Sequence, residues 1–286
     1  MEEQPYDLDF LKGYEQLQFK KLGQALSELK PDLLIILDAN TISRITRDVA
    51  PVKSYLDTNQ TSIVIIDHHV DKETDKNDIY INHSNPAVTL DIYEIFIETL
   101  GMQKPSGYAQ TAITGIYTDT GGFVHRNLNF KKVFDVVPKL ISDGADLELT
   151  VNKLNKISQQ GLGIVGELIK NTKYQDNFTY SFISDETAER AKHESLIKAA
   201  ELFRSQFLRN VKDHPWGFIV YVDTKAQIRT YSVSLRSLTD QKDVSIVAAL
   251  LGGGGHKPAA GAKILAASVH EATQQALDAV EKSEHS

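Results

Sequence analysis

Two short apolar runs, LLIILDAN (33–40) and SIVIIDHH (62–69), stop abruptly at an acid, and no other feature constrains the fold as much. Ile63, Val64, Ile65 and Ile66 are mostly β-branched and are bounded by charge, the pattern of a strand buried on both faces at the centre of a parallel sheet. Asp67, His68 and His69 then fall at the C-terminal end of that strand, the edge where open α/β sheets bind ligands. YAQTAITGIYTDTGGF (108–123) reads as a small-residue helix running to another acid, Asp119. DIYEIFIETLG (91–101) has helical spacing with Gly101 as a stop, and VFDVVPKLISDGAD (133–146) closes a further helix at Gly144. This alternation implies βαβ units and a parallel sheet.

The second half has a different rhythm. NFTYSFIS (177–184) reads as a strand and residues 185–207 as one long helix. GFIVYVDT (217–224) and IRTYSVSLRS (228–237) form a strand pair around a short turn, followed by a helix at DVSIVAALL and then GGGGHKPAAGAKIL. Locally paired strands with helices to one side describe a smaller α+β domain. The fold class expected is therefore α/β, with a parallel-sheet domain over 1–160, a linker over 161–176, and an α+β domain over 177–286. A chain of 286 residues is long enough for two such cores.

Composition limits the function classes. A formal net charge of −7 argues against a broad footprint on long nucleic acid, although metals or a basic pocket can still bring phosphates to an acidic protein. With no cysteine there is neither a disulfide nor a thiolate metal site, which fits a cytoplasmic setting. The start, MEEQPYDLDF, has no signal-peptide pattern, and no run of 18 apolar residues is present, so no membrane association is expected.

Asp38, Asp67 and Asp119 each follow an apolar or small-residue segment, and strands of one parallel sheet bring such ends together. Clustered carboxylates repel, and a divalent cation relieves the repulsion. Mixed carboxylate and imidazole donors suit Mn²⁺, Fe²⁺ or Zn²⁺ better than Ca²⁺ or Mg²⁺ alone. Asp38, His68 and Asp119 are the candidate ligands. Any one of these acids alone would read as a helix cap or turn residue, but the adjacent His pair lets one imidazole ligate while the other faces a substrate.

In the second half, Gly252, Gly253, Gly254 and Gly255 before His256 remove every Cβ from a stretch of backbone, so its N–H groups could approach an anion. Arg236 offers a planar guanidinium for bidentate phosphate binding, with Ser237 beside it as a hydroxyl partner. The plainer alternative is a flexible loop and a strand-end salt bridge.

Taken together, ILDANTISRI (36–45), IDHH (66–69), YTDTGGF (117–123) and SLRSLTDQKDVSIVAALLGGGGHKPAAGA (234–262) resemble the DHH phosphoesterase superfamily, in its DHH plus DHHA1 branch of nanoRNases and 3′-phosphoadenosine 5′-phosphate phosphatases. The resemblance covers nearly the whole chain. It implies an enzyme that hydrolyses phosphate esters of short oligoribonucleotides or nucleoside phosphates with two Mn²⁺ ions, in a cleft between a DHH and a DHHA1 domain, with a homodimer among the assemblies open to it. Two ions about 4 Å apart would stabilise attacking and leaving oxygens together. On this reading Asp38 bridges the metals and His68 and Asp119 complete one shell. Asp67 and His69 orient the site or contact the scissile phosphate, and Arg236 and the glycine loop with His256 grip the rest of the substrate. Family members also begin with an apolar strand followed by His and Asp-x-Asp. In this sequence PYDLDF offers Asp7 and Asp9 at that mutual spacing, but no apolar strand precedes them. A catalytically impaired nucleotide-binding sensor or scaffold is the alternative function.

Overall fold

The computed structural model describes residues 7–69, 79–124, 129–238 and 241–284. Thr239 and Asp240 of the SLRSLTD stretch lie outside them. The chain divides into two compact units, Met1–Lys156 and Ile157–Ser286.

The first unit is built on a parallel sheet in the order β1 (Leu33–Leu37), β2 (Ser62–Ile66), β3 (Ile79–Ile81). The helix α1 (Leu22–Leu29) precedes β1, and α2 (Val49–Asn59) carries the crossover to β2. Leu34, Ile36, Ile63, Ile65 and Tyr80 share one face of the sheet, where Leu26 of α1 and Val52 and Leu56 of α2 cover them. The opposite face differs from the both-sides burial expected of parallel strands. Leu33, Ile35 and Leu37 are 48–50% exposed and Ile79 is 60% exposed. Among the described residues, only Ile66 at the C-terminal end of the central strand β2 is fully buried on that side.

A second core within this unit joins α3 (Val88–Ile92), α4 (Tyr108–Asp119) and α5 (Phe130–Ser142) through Leu90, Ile113, Ile116, Val133 and Leu140. α3 widens into a π-helical stretch, Tyr93–Thr99, and stops before Gly101, whose φ of 61° is the left-handed exit expected of that glycine. α6 (Leu147–Leu154) closes the unit, with the Asp146 side chain accepting from the Leu149 amide.

The second unit holds a six-stranded mixed sheet in the order β4 (Lys173–Gln175), β5 (Phe178–Phe182), β6 (Trp216–Val222), β7 (Thr230–Ser237), β9 (Ala259–Leu265), β8 (Gly254–His256). Helices cover both of its faces rather than one. Phe218, Val220, Val233 and Leu235 pack on α10 (Val244–Leu250) and α11 (Val269–Glu284), the latter a helix that the motif reading passed over. On the other face Ile219 and Tyr221 pack on α7 (Gln159–Asn171) and α9 (His193–Gln206). α7 is therefore a core helix, with Ile164, Val165 and Leu168 buried, where a linker was expected over 161–176. The single helix expected over 185–207 is two, α8 (Asp185–Arg190) and α9. The chain turns extended at Ala191, and Gln160 takes up the freed backbone by donating to Arg190 O and accepting from Lys192 N.

Candidate metal centre and anion-binding face

The strand ends of the first unit are tied together beyond the strands themselves. The Asp38 amide donates to Ile66 O at 3.0 Å and the Asp67 amide to Ile81 O at 3.1 Å. Asp38 turns with φ 59°, left-handed backbone that Asp tolerates better than most residues, and its half-exposed carboxylate stands clear of the strand. His68 Nε2 is 3.2 Å and His69 Nδ1 4.0 Å from Asp38 Oδ1. Donor atoms of Asp38, His68 and His69 all lie within 4.8 Å of one another.

Asp67 is fully buried and does a different job. Its Oδ1 accepts from His69 Nδ1 at 2.6 Å, and its Oδ2 accepts from the Tyr80 hydroxyl at 3.1 Å and the His69 amide at 3.2 Å. Burial pushes its pKa up, but the His69 ring and Tyr80 outweigh burial and hold the carboxyl below its ordinary value. With its proton on Nδ1, neutral His69 keeps a lone pair on Nε2. His68 Nδ1 faces the Asn85 carbonyl at 3.3 Å, where it can only donate, so Nε2 is the nitrogen turned toward Asp38: protonated, it donates to the carboxylate, and deprotonated, it offers a lone pair to a cation. The His68 pKa is raised, chiefly by Asp38 against the opposing effect of burial.

Asp119, at the last turn of α4, is pushed up to about 6, first by burial and then by the Asp38 carboxylate, with His68 and the Val88 amide opposing. Asp38, His68 and Asp119 are thus close enough to feel one another's charge, although the tightest donor cluster has His69 in place of Asp119. One carboxylate and two imidazoles at the strand ends, with the Asp119 carboxylate of α4 near enough to act on them, form a donor set that fits a borderline divalent cation.

Sequence reasoning missed Asn85 and Tyr80. The buried Asn85 side chain donates to Asp91 Oδ1 (3.1 Å) and Glu94 Oε2 (2.9 Å) and accepts from Lys132 Nζ (2.6 Å), which fixes the carbonyl that orients His68. The polar stretch NHSNP has no periodicity to mark it, and its partners lie on α5 and around α3.

In the second unit, strand alternation separates two residues that the sequence places side by side. Val233 and Leu235 face α10 and α11, so Ser232, Ser234 and Arg236 face the other way, with Arg236 opposite Gly217 and Ala259. Arg236 is half-buried, donates from Nη1 to Leu235 O at 2.8 Å, and is pulled down to about 10, first by burial and then by the charges of Arg204 and Arg209. Ser237 is fully buried on the opposite face, where its hydroxyl donates to Leu238 O and accepts from the Lys242 amide. It therefore fastens a turn and is no hydroxyl partner of Arg236.

The four glycines are not an open anion loop. The Gly252 and Gly253 amides donate to Ala249 O and Ala248 O, capping α10. Gly254 and Gly255 pair with β9 as part of β8. A Cβ on Gly253 would come within 2.2 Å of Gly261 O and one on Gly255 within 2.6 Å of Ala260 Cα, so these glycines serve close strand packing. Gly252 and Gly254 have open space where a Cβ would stand, and Gly252 needs glycine for its φ of 75°. His256 is exposed and pairs with Ala259, which pairs with Arg236, so imidazole and guanidinium share a face two strands, or about 10 Å, apart.

Comparison with known proteins fits this arrangement. The model of the DHHA1 domain matches residues 175–283, so the second unit is a DHHA1 domain. Across 247 residues the chain is 26% identical to the bifunctional oligoribonuclease and PAP phosphatase NrnA of Thermus thermophilus, spanning 86% of this chain and 69% of that protein. Its fold matches an exopolyphosphatase-related protein from Bacteroides fragilis with a TM-score of 0.81 at 24% identity, over 97% of this chain and 80% of the other. Residues 175–283 thus form a DHHA1 domain, and most of the chain is similar to that oligoribonuclease and phosphatase. Among the described residues, no helix is long and apolar enough to cross a membrane.

Proposed function

We propose that this chain is a manganese-dependent phosphoesterase that hydrolyses short oligoribonucleotides or nucleoside bisphosphates such as 3′-phosphoadenosine 5′-phosphate in the cytoplasm. The observation that carries the reading is the meeting of Asp38, His68 and His69 at the strand edge, with the raised pKa of Asp119 marking the same concentration of negative charge. The activities in the relative's name, oligoribonuclease and PAP phosphatase, supply the substrate classes. Asp38, His68 and Asp119 would hold the metal, which when bound lowers the pKa of a coordinated water and polarises a phosphoryl oxygen.

The protein's own groups do the rest. Asp67 and Tyr80 hold His69 in the tautomer whose Nε2 is free, and protonated there it can donate to a phosphate oxygen. Asn85 holds His68 so that its Nε2 faces Asp38. Arg236 and His256 hold the non-reacting part of the nucleotide.

The test is hydrolysis of pApA and of adenosine 3′,5′-bisphosphate with and without Mn²⁺, alongside elemental analysis. Manganese-dependent release of mononucleotide or phosphate is expected. No turnover with full nucleotide binding would instead favour a nucleotide-binding sensor or scaffold. That second reading draws on one observation: among the described residues, a single group of three donor side chains is gathered at the strand edge.

A further inference from the structure

Lys132 stands in the first turn of α5, far in sequence from Asp38 and His68, yet its ammonium reaches the segment that steadies the metal centre. Its Nζ donates to Asn85 Oδ1 at 2.6 Å and lies 2.9 Å from Glu94 Oε1. Asn85 is 3% exposed, so each of its amide atoms needs a partner inside the fold. Its Nδ2 spends two protons on Asp91 Oδ1 and Glu94 Oε2, at 3.1 and 2.9 Å. A flipped amide would set Oδ1 against two carboxylates and Nδ2 against an ammonium. Lys132 therefore holds the Asn85 side chain in one of its two orientations.

The backbone passes that choice on. Pro86 follows and biases Asn85 toward extended conformations, so a fixed side chain leaves the Asn85 carbonyl one direction, toward His68 Nδ1 at 3.3 Å. The upstream end of the segment is tied as well. Asn82 Oδ1 accepts from the Ser84 amide at 2.7 Å, bracing Ser84 in left-handed backbone at φ 54°, and Asn82 Nδ2 donates to His69 O at 2.7 Å. Residues 82–85 thus bridge the helical core to the strand edge. Without the ammonium, Asn85 Oδ1 loses its donor in a buried place, and the segment shifts or takes in water to satisfy it.

We propose that Lys132 is a positioning residue of the metal centre: through Asn85 it fixes the ring of His68, and so raises the affinity of the strand-end site for its divalent cation. This role rests on the metal reading above and adds to it a residue from the helical core. Position and charge act with opposite signs here. By charge alone a nearby ammonium repels a divalent metal, so its removal would tighten binding. By position its removal weakens binding, because a ligand that loses its orienting partner must be ordered again by the metal.

The experiment compares the wild-type chain with Lys132→Met, which keeps most of the stem, and Lys132→Arg, whose guanidinium can still donate to Asn85 and pair with Glu94. Calorimetric titration of the full chain with Mn²⁺ should find Lys132→Met weaker by about tenfold and Lys132→Arg restored most of the way. In the chain stripped of metal with EDTA, the His68 Nδ1–H sheltered by the Asn85 carbonyl should give a resolved imidazole N–H proton resonance, assigned by its loss in His68→Gln. Lys132→Met should lose that resonance to exchange with water, and Lys132→Arg should keep it. A lysine serving folding alone would lower the melting temperature and move neither readout. Unchanged or tighter Mn²⁺ binding by Lys132→Met, or a His68 resonance that persists in it, would overturn the role. Should Lys132→Met fold poorly, Lys132→Ala leaves room for water at Asn85 Oδ1 and makes the same test. If both readouts are unmoved while manganese-dependent hydrolysis persists, only the role of Lys132 fails. If the wild-type chain binds no Mn²⁺, the metal reading beneath it fails as well.

Discussion

The two units solve opposite electrostatic problems with different parts of a β-sheet. In the first, negative charge is gathered where parallel strands end. Asp38 and the two imidazoles meet because strand ends share an edge, Asp119 at the end of α4 acts on them electrostatically, and the left-handed turn at Asp38 aims its carboxylate off the strand. In the second, positive charge is gathered on a strand face, where Arg236 stands opposite Gly217 and the charges of Arg204 and Arg209 act on it. On the proposed reading one site suits a cation and the other an anion. The lesson is that a strand end can collect residues from distant parts of the chain, whereas a strand face collects whatever its neighbours in register leave room for.

The largest effect should come from breaking the cation-binding half of this comparison. Asp38→Ala should weaken manganese binding by more than Asp67→Asn does, and the latter by about tenfold to a hundredfold, the usual cost of losing a group that orients a ligand. Calorimetric titration with Mn²⁺ compares them, and equal losses would contradict the division of labour between Asp38 and buried Asp67. Neither change should alter metal-free nucleotide affinity.

The anion-binding half should break in the reverse sense. Arg236→Ala should cost nucleotide binding about 1.5–3 kcal/mol, roughly tenfold to a hundredfold, with manganese affinity unaltered, and Arg236→Lys should recover little because an ammonium lacks the paired donors. An unchanged affinity in Arg236→Ala would return β7 to a purely structural role.

Stability separates the glycines that pack from Gly254, which has open space and no left-handed backbone. Gly253→Ala should lose about 1–3 kcal/mol, because the new methyl meets Gly261 O and Ala262 within 2.2–2.6 Å. Gly254→Ala, with nothing within 4 Å, should cost about 1 kcal/mol at most. Urea midpoints give both, and comparable losses would show that the run acts as one flexible loop.

The smallest expected effect concerns Asp185, whose carboxylate accepts from the Tyr231 hydroxyl and the Val269 amide and pairs with Arg229, tying α8 and the start of α11 to β7. Burial pushes its pKa up, but these partners together hold it below the ordinary value. A depressed folded pKa stabilises above the unfolded value, near 4, and loses that contribution as pH falls through the folded one. Asp185→Asn should therefore destabilise the protein by about 1 kcal/mol at pH 7, with the deficit narrowing in melts run below pH 4. A deficit independent of pH would assign the effect to packing.

Much of this was legible before any coordinates. The apolar runs ending in Asp38 and Asp67, the small-residue helix ending in Asp119 and the hairpin ending in Arg236 are local patterns, and local patterns survive into structure where hydrophobic period and burial agree. Asn85 and Tyr80 escaped because a hydrogen bond to a backbone carbonyl or a buried carboxylate leaves no period in the sequence. Ser237 misled because adjacent residues on a strand face opposite ways, so nearness in sequence is separation in space. The glycine run misled because lack of a Cβ serves close packing as readily as it serves a ligand.

By itself, then, the sequence determined which side chains stand at strand ends and which segments are strands or helices, because those follow from composition, hydrophobic period and residue-specific backbone preference. Only the tertiary structure decided that His69 joins Asp38 and His68 while Asp67 holds His69 from beneath, that the Gly252 and Gly253 amides are spent on α10, and that the charges of Arg204 and Arg209 act on Arg236. Each of these depends on register, on the face a residue is turned to, and on which partner has already taken a hydrogen bond. Those quantities exist only once distant segments of the chain are packed against one another.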